Sequence, residues 1–196
     1  MKVLVACEFS GRVRDAFIAK GHDATSCDIL DTEVPGPHYK GDARDILDEH
    51  WDLIVAHPPC TYLALSGVQW LKKVDGRWDE MLKAVEFFNL FLGHQCPKVC
   101  IENPIMHGYA KSRLLVPDYS QKTQPYFHGH TERKATCFWL KGLPLLKASN
   151  NVSHKMIGLH ESDKNRVHWE APGADRQKNR SRTFEGIARA MAEQWG

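Results

Sequence analysis

Apolar residues fall along this chain in short dense runs, separated by polar stretches in which hydrophobic positions recur every three or four residues. The first run, Lys2–Ala6, reads as a buried strand. In "EFSGRVRDAFIAKGH", which follows it, Val13, Ala16 and Phe17 lie at helical spacing and Gly21 supplies a stop. "DATSCDI" (23–29) predicts a short strand ending in an acid, and "GDARDILDEH" (41–50) a turn and a short helix. Asp52–Ala56 predicts another buried strand. Residues 61–78, with "SGVQWLKKVDGRW", read as a long, partly mobile loop, and loops of that length in compact domains are often functional.

"DEMLKAVEFFNLFL" (79–92) is an amphipathic helix, Lys98–Ile101 a strand that "ENP" terminates, and "KATCFWL" (134–140) a strand bounded by Gly142 and Pro144. Residues 147–181 are polar and irregular, and "TFEGIARAMAEQW" (183–195) reads as a closing helix. Strand and helix alternate without repeat or linker. The expectation is a doubly wound, mostly parallel α/β sheet, Rossmann-like, in a single domain spanning 1–196.

Composition narrows the function classes only a little. Hydrophobic residues at 42% and charged residues at 26% are ordinary globular values, and a formal charge of +2 does not by itself argue for nucleic acid. "DRQKNRSR" (175–182) and "ERK" (132–134) are locally basic, as a solvated face or a phosphate-contacting one would be. Six scattered cysteines do not make a disulfide scaffold. The apolar run at the N-terminus is too short for a signal-peptide core or a membrane span. These features imply a cytoplasmic protein with reduced thiols and no membrane partner.

Candidate chemistry sits at the ends of the expected strands. His57-Pro58-Pro59 must be extended or sharply turned, because proline fixes its own φ and restricts the residue before it. Cys60 then lies just past a strand's carboxyl end, where open α/β sheets hold their ligands. Glu102 closes the next strand, so a thiol and a carboxyl face one cleft, a pairing suited to nucleophilic attack on an electron-poor ring with protonation of that ring. A buried structural cysteine and a capping or solvated carboxylate are the bland alternatives. Gly11 opens a turn after the first strand that a ligand can approach, or serves the turn alone. Asp28, about twenty residues on, suits ribose hydroxyls; Asp42 follows in "GDARD"; either is equally a helix cap.

The order "EFSG", "CD", "GD", "PPC", "ENP" resembles the DNA cytosine-5 methyltransferase family. "KATCFWLKGLP" and "RSRTFEGIA" are similar to segments of short phage-encoded members. The resemblance implies a methyltransferase using S-adenosyl-L-methionine, with Cys60 adding to C6 of cytosine and Glu102 hydrogen bonding N3 and the exocyclic amine. It implies that Phe9, Ser10, Gly11 and Pro58 line the methyl donor, that Asp28 meets its ribose and Asp42 its adenine. Pro59 and Asn103 would shape the base pocket, and Arg133 or Lys134 would contact the substrate. The implied partner is DNA, single-stranded or duplex, with a helper protein as an alternative source of target choice. The host cytoplasm would be the compartment for a phage-encoded member.

Departures from the family pattern set the rival readings. Val13 stands in place of a glycine, Pro104 in place of a valine, and "EGIARA" lacks the closing asparagine. "HTERK" occupies the place of a glutamine–arginine–arginine segment. Residues 141–182 are too few for a full target-recognition region. A modified transferred group, a nucleotide substrate, or a non-catalytic derivative binding DNA or a host protein are the alternatives. His128, His130, His154, His160 and His168, with Cys96 and Cys100, lack paired zinc-ligand spacing, so no metal is expected. Trp169 and Tyr126 are candidates for stacking on bases, against core packing or simple exposure.

Overall fold

The computed structural model describes residues 1–196. Along the chain it forms β1 (Lys2–Ala6), α1 (Arg12–Ile18), β2 (Asp23–Asp28), β3 (His38–Lys40), α2 (Arg44–Leu47) and β4 (Leu53–Ala56). Then come α3 (Arg77–Gly93), β5 (Lys98–Pro104), α4 (Gly108–Lys111), β6 (Gln121–Thr123), β7 (Thr136–Lys141), α5 (Glu161–Lys164), α6 (Arg176–Ser181) and α7 (Glu185–Trp195). The seven strands make one sheet in the order β3-β2-β1-β4-β5-β7-β6. The first five are parallel to their neighbours, and β7 runs antiparallel to both β5 and β6.

Both faces of this sheet are covered, which is why its central strands are apolar at every position rather than at alternate ones. Val3, Val5, Leu53 and Val55 point to one side and pack against Val13 and Phe17 of α1 and Ile187, Met191 and Trp195 of α7. Leu4, Ala6, Ile54 and Ala56 point to the other, against Met81, Val85, Phe88 and Phe91 of α3. Those four α3 residues recur at intervals of four, three and three, the stripe a helix needs to bury one face. The expected doubly wound α/β architecture is the one formed.

Several local expectations give way. "ENP" does not end β5: Glu102, Asn103 and Pro104 stay in the ladder opposite Phe138, Cys137 and Thr136. The antiparallel β7 supplies partners beyond the point where parallel β4 stops. Residues 61–78 are not an unanchored loop, for they contain a 3₁₀ helix at Leu65–Trp70. The Leu65 N–H donates to Ile105 (2.8 Å) and the His107 N–H to Leu63 (3.1 Å), and Leu63 is fully buried. Residues 147–181, expected to be irregular, hold a 3₁₀ turn (Ser153–Met156), α5 and α6, all short. No helix is long and apolar enough to cross a membrane.

Candidate active site

The Pro-Pro segment is held from both ends. The His57 N–H donates to Ala6 (2.9 Å), extending the β1–β4 ladder by one residue. Asn103, on the neighbouring strand, donates from Nδ2 to the Pro58 carbonyl at 2.8 Å, in a buried setting. After the prolines, the Cys60 carbonyl accepts from the N–H groups of Leu63 and Ala64. Backbone and side chain thus fix the turn, and the Cys60 thiol is left exposed at its crest. It is the exposed cysteine of the six; Cys27, Cys96, Cys100 and Cys137 are buried and Cys7 partly so.

Glu102 lies beneath that turn. Register explains its company: Val55 pairs with Cys100 across β4 and β5, so two residues further along each strand His57 and Glu102 share a face. His57 Nδ1 is 2.7 Å from Glu102 Oε2, and each side chain is 9% exposed. Burial would raise the Glu102 carboxyl, but the His57 hydrogen bond and the positive charge of Lys134 outweigh it and hold the group below its ordinary range. The Cys60 thiol is pushed the other way. Desolvation by the surrounding protein raises it, the Glu102 charge adds to the rise, and Lys134 and Arg180 oppose both. Charge on Glu102 and charge on Cys60 therefore disfavour one another.

On the other side of His57 is a cavity of about 280 Å³ lined by Cys7, Glu8, Phe9, Ser10, His57, Ser181, Arg182 and Thr183. Its floor is the turn between β1 and α1. Cys7 adopts a left-handed φ of 59°, unusual for a residue with a side chain, and Gly11 a φ of 72°. A Cβ on Gly11 would come within 2.6 Å of Arg14 and Val34, so glycine is required there for space as well as conformation. Glu8 accepts from the Val13 and Arg14 N–H groups at 2.7 and 3.2 Å, so the first turn of α1 carries its own carboxylate. Val13 points into the core. Ser10 donates to Glu8 (3.1 Å), and Phe9 is buried.

Asp28 stands at the end of β2 beside this turn. Its Oδ1 accepts from the Leu30 N–H at 2.9 Å, and burial raises its carboxyl despite that bond. Asp42 is committed locally: it accepts from the Arg44 backbone N–H and from Nε and Nη2 of the same residue. A strap formed by α6 and the residues after it crosses the cavity. Arg182 grips Glu33 with two bonds of 2.7 and 2.6 Å, Lys178 adds a third contact at 3.3 Å, and both cations lie over the Phe9 ring.

Lys134 and Arg133 part company. Lys134 lines a small recess with Glu102, Thr136 and Thr183, and its Nζ donates to the Arg182 carbonyl at 3.2 Å. Arg133 pairs instead with exposed Glu161. Near Cys60, residues 61–78 present cations on aromatic rings: Arg77 over Tyr62 (5.0 Å), Lys73 over Trp70 (5.6 Å) and Lys72 over Tyr109 (6.0 Å). Trp169 is exposed, while Tyr126 packs edge-on against Phe127. His128 and His130 hydrogen bond within the fold and His160 caps α5. No group of three or more His, Cys, Asp or Glu side chains converges in a metal-holding arrangement.

No family model matches the chain, and no curated protein matches it in sequence. Among solved structures it is similar to an E. coli protein described as a DNA modification methyltransferase encoded within a prophage, with a TM-score of 0.50 and 16% identity. That match covers 82% of this chain and 56% of the other. The fold is that of the Rossmann-like methyltransferases. The methyltransferase EhMeth of Entamoeba histolytica aligns at a TM-score of 0.47 and 15% identity, over 77% of this chain and 57% of its own. The chain thus spans little more than half the length of either methyltransferase.

Sequence reasoning had placed Cys60, Glu102 and the Gly11 turn at one sheet edge, and the structure puts them there. It missed His57 as a partner of Glu102. Counting two residues on from the Val55–Cys100 pair would have found it. The Arg182–Glu33 clamp had no local signal.

Proposed function

We propose that this chain methylates cytosine at C5 in DNA through a covalent Cys60 adduct at C6, assisted by Glu102. The observation that carries the reading is the joint placement of an exposed, turn-fixed thiol just past the end of β4 and a buried carboxyl on the adjacent β5. The methyltransferase fold supports methyl transfer as the reaction, and the similarity to DNA-modifying proteins supports DNA as the substrate.

The residues of the cavity fit S-adenosylmethionine. His57 Nε2 is buried there without a hydrogen-bond partner, and Arg182 offers a guanidinium to a carboxylate. Phe9, Ser10, Gly11 and Pro58 would border the donor and Asp28 would take its ribose. Asp42 would reach the adenine only by sharing its carboxylate with Arg44. When bound, the donor supplies the electrophilic methyl group that C5 of the adduct accepts.

Cys60 acts as nucleophile and is disfavoured as a thiolate while Glu102 is charged. Protonation of Glu102 serves both groups at once: it lifts the repulsion on the thiolate and gives the ring nitrogen N3 a donor. Pro59 and Asn103 shape the base pocket, and Lys134 balances the charge beside Glu102. A base reaches Cys60 only outside a duplex stack, so flipped or single-stranded cytosine is the substrate form. Lys72, Lys73 and Arg77 with their aromatic partners form the face that receives the strand. One domain carries this chemistry, and residues 142–184 supply little target choice of their own.

The test is label transfer from methyl-labelled S-adenosylmethionine to single- and double-stranded DNA, with nucleosides identified by mass. Labelled 5-methylcytosine from the wild type and none from Cys60→Ala is the expected result. Donor binding without any labelled cytosine would overturn the reading in favour of a modified donor, a nucleotide substrate or a non-catalytic role.

A further inference from the structure

His57 is built differently from the two fully buried histidines, His107 and His128. His107 has Nε2 on the Tyr62 carbonyl and Nδ1 accepting from the Ala110 N–H. His128 has both ring nitrogens engaged, Nε2 with Thr123 and Nδ1 with Ser149, each at 3.1 Å. His57 has Nδ1 on Glu102 at 2.7 Å, while Nε2 is buried and unpartnered. A polar nitrogen buried without a partner costs about 1–3 kcal/mol, which an imidazole kept only for packing would avoid. His57 is also one of the residues that line the proposed donor cavity, together with Cys7, Ser10, Arg182 and Thr183. The ring is thus the partition between that cavity and the Glu102 carboxyl.

We propose that His57 is a proton-relaying positioning residue: it takes up a proton at Nε2 from the cavity and passes the Nδ1 proton to Glu102. This rests on the cytosine reading given above. That chemistry needs a proton on Glu102, and the surroundings of Glu102 favour its charged form. Lys134 is engaged with the Arg182 carbonyl, whereas His57 touches the carboxyl directly and has a second nitrogen through which to reload.

The steps balance. Nε2 gains a proton from water in the cavity, Nδ1 gives its own to Oε2, a neutral imidazole faces a neutral carboxyl, and the Cys60 thiol loses its proton to solvent. As the Cys60 Sγ–C6 bond forms, the C5=C6 pair shifts to C4=C5, and the C4=N3 pair takes the proton from Glu102. The C4=C5 pair then bonds the methyl carbon supplied by the donor while C4=N3 re-forms. When the thiolate leaves, the C5 proton goes to solvent, N3 returns its proton to Glu102, and Glu102 returns it to Nδ1. Nε2 releases its proton to water, restoring the starting pair. Charged and titratable groups around the ring are Glu102 from β5, Cys7 and Glu8 from the β1 turn, Asp28 from β2, Cys60 beyond the prolines and Arg182 from the strap. Of these, Glu102 is within hydrogen-bond distance.

The experiment is single-turnover methyl transfer to a cytosine-containing oligonucleotide between about pH 6 and pH 9, with saturating donor. It compares the wild type, His57→Asn, Glu102→Gln and the double variant. Asparagine places an N–H near the position of Nδ1 but neither gives up nor takes on a proton in this range, so His57→Asn is expected to be about 100-fold slower and to lose the alkaline decline of the rate. Glutamine at 102 donates without being reloaded, so adding His57→Asn to Glu102→Gln costs no more than about twofold further. An unchanged pH profile in His57→Asn, or a full additive loss in the double variant, overturns the relay and leaves the cytosine reading standing. Weaker donor binding with an unchanged saturated rate also overturns it, making His57 a ligand contact. A wild type that forms no 5-methylcytosine removes the reading itself and the relay with it. If His57→Asn does not fold, His57→Gln carries the same comparison.

Discussion

The Asn103 side chain on β5 hydrogen bonds the Pro58 carbonyl at 2.8 Å, one position before the second proline and two before the thiol. A strand residue thereby sets the height of a segment whose two prolines have no N–H groups to anchor it. Asn103→Ala is expected to leave donor binding intact and to slow methyl transfer by about 10- to 100-fold, because a buried carbonyl loses its partner and the thiol loses its placement. Single-turnover rates beside calorimetric donor binding check this. A loss confined to binding would show that the contact does not serve the thiol.

Charge on Glu102 raises the Cys60 thiol, so removing that charge lowers it and increases the thiolate present at neutral pH. Glu102→Gln is expected to speed alkylation of Cys60 by iodoacetamide about three- to tenfold at pH 7 while abolishing or slowing methylation. Peptide mass mapping over time reads the rate at this cysteine alone. Slower alkylation in the variant would mean that the carboxylate helps form the thiolate.

A Cβ on Gly186 would lie 1.8 Å from the His128 carbonyl oxygen, and the Gly186 N–H donates to His130 Nε2 at 3.0 Å. Glycine lets α7 press directly on the chain at 128–130. Alanine in a helix is ordinarily favoured over glycine by about 1 kcal/mol. Here the sign reverses, and Gly186→Ala is expected to destabilise by about 2–4 kcal/mol in urea denaturation.

His128 has its pKa pulled from an ordinary 6.5 to about 4, first by burial and then by the charge of His130. The unfolded chain therefore binds a proton that the folded one refuses as pH drops from 6.5 toward 4. Stability is lost across that window, by about 2–3 kcal/mol from this group. Thermal melts should show Tm falling between those limits, and His128→Gln should flatten the fall.

The elements legible in the sequence are those whose own residues pay the cost of ordering. β1, β4, α3 and α7 carry apolar runs or stripes that are buried in full. β3 and β6 were not legible, because His38–Lys40 and Gln121–Thr123 are polar edge segments extended by their neighbours' hydrogen bonds. The length of β5 depended on β7, which pairs with it from 32 or more positions away in the chain at the nearest register pair, Pro104 with Thr136. Cys60 was readable from residue type and the end of β4, and Glu102 from residue type, although β5 runs on two residues past it. His57 required a register between two strands, and Glu8 resembled any acid ahead of a helix until its bonds to Val13 and Arg14 were seen.

The Arg182–Glu33 clamp joins positions 149 apart, and Arg182 lines the cavity proposed for the methyl donor. Dissolved salt weakens such a pair near the surface, and under the proposed function it equally weakens the hold of Lys72, Lys73 and Arg77 on phosphates. The two ligands should then answer ionic strength in opposite directions. From about 50 to 200 mM salt, stopped-flow entry of the methyl donor is expected to quicken while affinity for the oligonucleotide falls. Glu33→Gln should remove the first response and leave the second. Under the proposed function, a molecule arranged this way would admit its small ligand most readily under conditions in which it holds nucleic acid least.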